Sequence, residues 1–131
     1  MKQSPVVHFE MPYKDAKRVS KFYETVFAWG MSDAGADMGH YLLAITSPMT
    51  KNNMHKNKGA INGGFYKKSK DTNPYPSFVI SVDDINKGIS AVKKAGGKMI
   101  GKPMEIPTVG MWVVFVDSEG NRVSMLQPAQ V

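Results

Sequence analysis

The sequence predicts an α+β fold made of two β-α-β-β-β repeats, and three observations predict it. Val6–Met11 has strand character and stops at Pro12, after which Asp15 opens a run with apolar residues at Val19, Phe22, Tyr23, Val26 and Phe27. Offsets of three and four are the signature of one face of an amphipathic helix. The same order returns at Ser77–Lys98, where Phe78–Val82 is strand-like, Asp84 caps, and Ile85, Ile89, Val92 and Ala95 form the stripe before Gly96 and Gly97. Finally, His8 precedes Asp15 by the same seven residues that separate Ser77 from Asp84, and each strand–helix unit is followed by three further strand-type runs.

Taken in order, the first helix spans about 15–28, with Lys14, Lys17, Arg18, Lys21 and Glu24 on its wet side. Ala28–Met31 leads into a strand, and His40–Thr46 is a second apolar run of strand type. Ser47–Lys58, with Pro48, Asn52, Asn53 and Asn57, has no periodicity and reads as a loop long enough for a lid or a disordered tip. Gly59–Lys67 resumes as a strand that contains Gly63 and Gly64 side by side. Adjacent glycines in a strand mark a bulge or a close approach to the backbone. Lys68–Pro76 connects the halves. After the second strand–helix unit, Lys98–Ile100 and Gly110–Asp117 are strands separated by Lys102–Val109 with its two prolines, Asp117–Asn121 is a turn, and Arg122–Gln127 closes the chain. The eight strands of the mixed sheet are expected to curl around a shared cleft with both helices outside, in one domain over 1–131 (repeat one about 5–68, repeat two about 76–128).

Composition narrows the function. There is no cysteine, which removes disulfides, thiolate metal sites and thiol nucleophiles. No stretch reaches the roughly 20 apolar residues of a membrane helix, and MKQSPVVHFE lacks a signal-type apolar segment, so the expected location is the cytoplasm. The formal charge is +6, but the 17 Lys and Arg fall on helix faces and loop tips, with only two Arg and no interleaved aromatics. Nucleic acid is therefore not an expected partner. In the opening strand Val7, Phe9 and Met11 share one face and Val6, His8 and Glu10 the other. Because a helix must cover the apolar face, His8 and Glu10 are expected to look into the cleft, with Ser77, Val79 and Ser81 as their counterparts in the second repeat.

Three segments carry a family resemblance: HFEMPYKDAKRVSKFYETVFAWG at 8–30, FVISVDDINKGISAVKKAGGK at 78–98, and DSEGNRVSMLQ at 117–127. Together they resemble the vicinal oxygen chelate superfamily, which holds glyoxalases, extradiol dioxygenases and bleomycin- and fosfomycin-resistance proteins. INGG at 61–64, EIP at 105–107 and the Gly-aromatic strand at 110–115 are similar to its glyoxalase-like branch. In metal-dependent members the resemblance implies ligands from the first and fourth strands of each repeat. His8 stands at the first such place, Ser77 at its counterpart, Asn62 or Gly63 on the fourth strand, and Ser124 where such enzymes commonly carry Glu. One imidazole with neutral oxygens is a poor set for a divalent cation, so His8 is the only metal candidate and a divalent metal is possible but disfavoured as a cofactor.

The resemblance therefore implies a protein that binds a small organic molecule in its cleft, with a homodimer as the expected assembly. The candidate catalytic pair is His8, titrating near neutrality, and Glu10, which could orient it. The candidate ligand-binding residues are Asn62, Ser77, Val79, Glu105, Trp112 and Ser124. The rival readings are a metal-dependent lyase, isomerase or dioxygenase using unconventional ligands, and a basic interaction module without catalysis. Tyr13, Tyr41, Phe65, Tyr66, Trp112 and Phe115 are aromatic residues that either line a pocket or fill a core.

Overall fold

The computed structural model describes residues 2–130. The fold is α+β: two α-helices and the eight strands of a mixed sheet, in the order β-α-β-β-β twice over. The elements are β1 Val6–Tyr13, α1 Ala16–Phe27, β2 Gly30–Asp33, β3 Leu42–Ile45, β4 Asn62–Lys67, β5 Ser77–Ser81, α2 Ile85–Lys94, β6 Lys98–Ile106, β7 Gly110–Val116 and β8 Arg122–Pro128. Two compact units result, one of residues 8–76 and one of residues 77–130 joined by residues 2–7.

In the unit of residues 8–76 the strands lie in the order β2-β3-β4-β1, with β1 and β4 parallel and the other pairs antiparallel. Asp15 accepts the backbone N–H of Arg18 and starts α1, and Ala28 closes it in the left-handed region. Tyr13, Leu42, Ala44 and Phe65 are buried in the core, against which Phe9, Met11, Ala16, Val19, Tyr23 and Trp29 pack. Tyr23 stacks on Trp29 with ring centroids 4.7 Å apart, and Phe9 meets Trp29 at 5.4 Å. The helical stripe is wider than the face the sheet covers. Phe22, Val26 and Phe27, which share the three-and-four spacing, remain 53%, 54% and 57% exposed.

In the other unit the order is β5-β8-β7-β6, again with a parallel first pair and antiparallel remainder. Asp84 accepts the N–H groups of Asn86 and Lys87, and Gln127 Oε1 takes that of Ile85, so three donors at the start of α2 are satisfied. The core here is Ile85, Val113 and Met125, with Ile89, Val92, Met99, Met111 and Phe115 against it. Met111, Val113 and Phe115 thus turn toward α2, and Trp112 and Val114 turn to the opposite face.

Two local expectations are corrected. β6 does not stop at Ile100: it runs to Ile106 through Pro103, because a register shift between Ile100 and Met104 releases Pro103 from the ladder it could not donate to. Segment 47–58 is also more ordered than a structureless loop. Met49 bridges to His55, Asn53 adopts a positive φ in the turn, and Ser47 Oγ lies 2.7 Å from His55 Nδ1.

Candidate functional site

His8 and Glu10 of β1 come together with Tyr41 within the unit of residues 8–76. Phe9, Met11 and Tyr13 pack toward α1, so alternation places His8 and Glu10 on the other face. Glu10 is only 8% exposed. Between the two stands the hydroxyl of Tyr41, 2.9 Å from His8 Nε2 and donating to Glu10 Oε2 at 3.1 Å. The side chains thus form one chain of hydrogen bonds, carboxylate–phenol–imidazole.

The paired glycines of β4 make this arrangement possible. Gly63 lies opposite Phe9, and Gly64 opposite Glu10 on one side and Leu43 on the other. A Cβ at Gly63 would overlap the Phe9 ring, and one at Gly64 would overlap the ring of Tyr41. Each glycine therefore seats an aromatic ring, Gly63 on the α1 side and Gly64 on the His8 side. The sequence marked a close approach here without saying what approaches. Tyr41 lies 33 and 31 residues from its two partners, and its only signal in the sequence is that of an aromatic residue in a strand-type run, one of six that either line a pocket or fill a core.

Burial sets the charge states. The imidazole of His8 is pushed down from its ordinary 6.5 to about 4, because desolvation penalises the cation. The Tyr41 phenol is raised far above its usual value, first by burial and then by the charge and hydrogen bond of Glu10. At neutral pH the site therefore presents an uncharged imidazole and an uncharged phenol.

The remaining predicted residues are dispersed. Asn62 lies opposite His8, but its amide oxygen accepts the N–H of Thr46 and its nitrogen lies 3.6 Å from Met49 Sδ, so this side chain ties β3 and the following segment to β4. In the other unit, Val79 pairs with Ser124 and both are buried. Ser77 and Trp112 share their face, with Trp112 opposite Leu126 and Met104. Glu105 sits opposite Met111, hence on the α2 side, away from Trp112. It borders a shallow depression of about 170 Å³ near the end of the β6–β7 hairpin, with Thr108, Gln127 and Gln130. His40 is exposed and pairs with Asp33 at 3.0 Å. The Asp33 carboxyl is held below its usual range, first by the Gly35 N–H and then by His40.

A divalent cation of the kind the resemblance implies needs several hard donors converging on one point. Among the described residues no group of three or more His, Asp or Glu converges in that way. His8 Nε2 and Glu10 Oε2 are both engaged by Tyr41. The residues present do not fit such a cation.

Comparison with known proteins sets these observations in context. Residues 6–125 match the model of the Glyoxalase/Bleomycin resistance protein/Dioxygenase superfamily. A "Glyoxylase-like domain-containing protein" of Didymella fabae is 29% identical over 115 residues, covering 86% of this chain and 84% of its own. Among solved structures, a hypothetical protein from Bacillus halodurans C-125 superposes with a TM-score of 0.69 at 14% identity, covering 99% of this chain and 98% of its own. A variant of Streptomyces coelicolor methylmalonyl-CoA epimerase in complex with 2-nitronate-propionyl-CoA gives 0.70 at 11% identity, with 99% and 98% covered. At these identities the likeness is one of fold.

Proposed function

The chain belongs to the Glyoxalase/Bleomycin resistance protein/Dioxygenase superfamily, and from that premise we propose that it binds a small organic molecule on the His8 face of its first repeat, without help from a firmly held metal. The observation that carries this reading is the Glu10–Tyr41–His8 chain. It holds a neutral imidazole in a set orientation on a sheet face, the kind of convergent polar group that orients a ligand among apolar neighbours. The similarity to a methylmalonyl-CoA epimerase supports a small-molecule partner in general and names none.

A catalytic version of this reading makes His8 a base that takes a proton from the ligand. The hydrogen-bond chain favours it, since Glu10 could stabilise the charged ring through Tyr41. The depressed basicity opposes it, because a base works best with a pKa near the working pH and His8 is held near 4. Binding is therefore the better supported role.

The test is a thermal-shift screen of wild type and His8→Gln against thiol adducts, acyl thioesters, aromatic compounds and glycopeptide antibiotics. A ligand present at 100 times its Kd adds about 2.7 kcal/mol to stability. At least one class should raise the wild-type transition and leave the variant unmoved. A panel that moves neither protein, or both equally, removes the proposal. Metal analysis separates it from the metal-dependent reading: protein purified without chelator should carry less than about a tenth of an equivalent of metal. Family relationship also gives the expectation of a homodimer, which scattering mass decides. Among the described residues no helix is long and apolar enough to cross a membrane.

A further inference from the structure

We infer that Tyr41 is a positioning residue that fixes His8 as the Nε2–H tautomer, so that the site takes an uncharged ligand whose hydroxyl or N–H group donates to His8 Nδ1. The inference deepens the binding proposal and rests on it for the ligand, though not for the tautomer.

A phenol has one hydroxyl proton, and Tyr41 gives it to the Glu10 carboxylate. Its oxygen then meets His8 Nε2 at 2.9 Å only as an acceptor, so Nε2 carries the hydrogen. A neutral imidazole with Nε2–H has its lone pair on Nδ1. Among the described residues no hydrogen bond reaches Nδ1, and no fully buried side-chain nitrogen or oxygen lacks a partner. Nδ1 is therefore open to an incoming group.

Geometry adds direction. The His8 and Tyr41 ring centroids are 6.4 Å apart with 19° between planes. With their polar atoms in hydrogen-bond contact, this separation places the rings edge to edge and nearly coplanar, not face to face. The Nδ1 lone pair lies in that common plane, so a donor must arrive along it. The plate is anchored to the backbone, because the Tyr41 ring rests where a Cβ of residue 64 would be. Leu43, opposite Gly64 on β3, and Ile45, two residues further, point to the same face and stay 41% and 38% exposed. They offer apolar contact to the body of a ligand.

Charge narrows the class. The open Nδ1 lone pair calls for a donor, which an anion lacks, and the burial that keeps His8 neutral denies an anion the cation it would need. A site with a committed acceptor also discriminates strongly against an analogue that lacks the donor, since the acceptor would be left unpaired. The ligand is thus a neutral molecule with a hydroxyl or N–H on an apolar frame, of the phenol or enol type.

The test uses the full chain labelled with 15N-histidine, and phenol, anisole and benzoate as probes. In wild type the His8 signals should show Nε2 protonated and Nδ1 bare. Tyr41→Phe keeps the ring over Gly64 but removes the hydroxyl, so the two tautomers should mix while circular dichroism keeps its native shape and Tm falls, the usual cost of unpaired buried polar atoms. Phenol should shift the Nδ1 resonance, with affinity about tenfold weaker in Tyr41→Phe, and anisole and benzoate should leave it in place. A wild-type ring protonated on Nδ1, or a tautomer unaffected by Tyr41→Phe, overturns the positioning role. Benzoate shifting Nδ1, or phenol failing to do so, overturns the ligand class. If the thermal-shift screen then finds an anion whose binding needs His8, the binding proposal survives while this one does not.

Discussion

Keeping His8 uncharged has a measurable cost in acid. The unfolded chain takes up a proton on this ring near pH 6.5, while the folded chain resists until about 4. Between those values the unfolded state binds more protons, so stability rises with pH through the window. It is complete above pH 6.5 and is lost progressively as pH falls toward 4. The full difference corresponds to about 3 kcal/mol, of which roughly 2.5 kcal/mol has been lost at pH 4.5. Urea unfolding of wild type and His8→Gln at several pH values between 7.5 and 4.5 isolates it. The glutamine amide can still donate to Tyr41 but does not titrate, so the difference between the two proteins reports on His8. The stability of wild type relative to the variant should therefore fall by about 2.5 kcal/mol across the series. A difference that stays flat within about 0.5 kcal/mol, given the usual extrapolation error, would show that His8 titrates normally and is not desolvated.

Other substitutions probe the supports of the site. Gly64→Ala places a methyl group in the volume of the Tyr41 ring; it should destabilise by about 1–3 kcal/mol in urea unfolding and abolish the single-tautomer signature of His8. Phe65→Ala empties a fully buried position and should cost about 3–5 kcal/mol by the same measurement. Asp84→Ala removes the acceptor of two N–H groups and Asp15→Ala the acceptor of one; calorimetry should show losses of about 1 kcal/mol, larger for Asp84. Because the donor set does not suit a divalent cation, prolonged dialysis against EDTA should leave Tm unchanged. Nickel, zinc, iron or manganese at tenfold excess should not raise it.

Much of the architecture is written in short-range pattern. Asp15 and Asp84 cap because a carboxylate one residue before a helix meets free N–H groups whatever the rest of the chain does. The duplicated spacing from strand to cap, and the alternation that separates His8 and Glu10 from Phe9 and Met11, depend on residues no more than seven apart. Those features determined the β-α-β-β-β repeat and put an imidazole and a carboxylate on one face of β1.

Packing across strands decided the rest. Nothing near Tyr41 in the chain indicates that it crosses to His8 and Glu10. That link depends on β3 and β4 pairing in one register, and on Gly64 leaving room for a ring at the row where Glu10 and Leu43 meet. The same holds for Glu105, which alternation on β6 sends to the α2 side while Trp112 goes to the other. Likewise the spacing of Phe22, Val26 and Phe27 matched a buried stripe, yet all three stay more than half exposed. A periodic pattern records which residues share a face. Which of them meet a partner is set by strand register and by the space left between side chains, and those exist only once distant segments have come together.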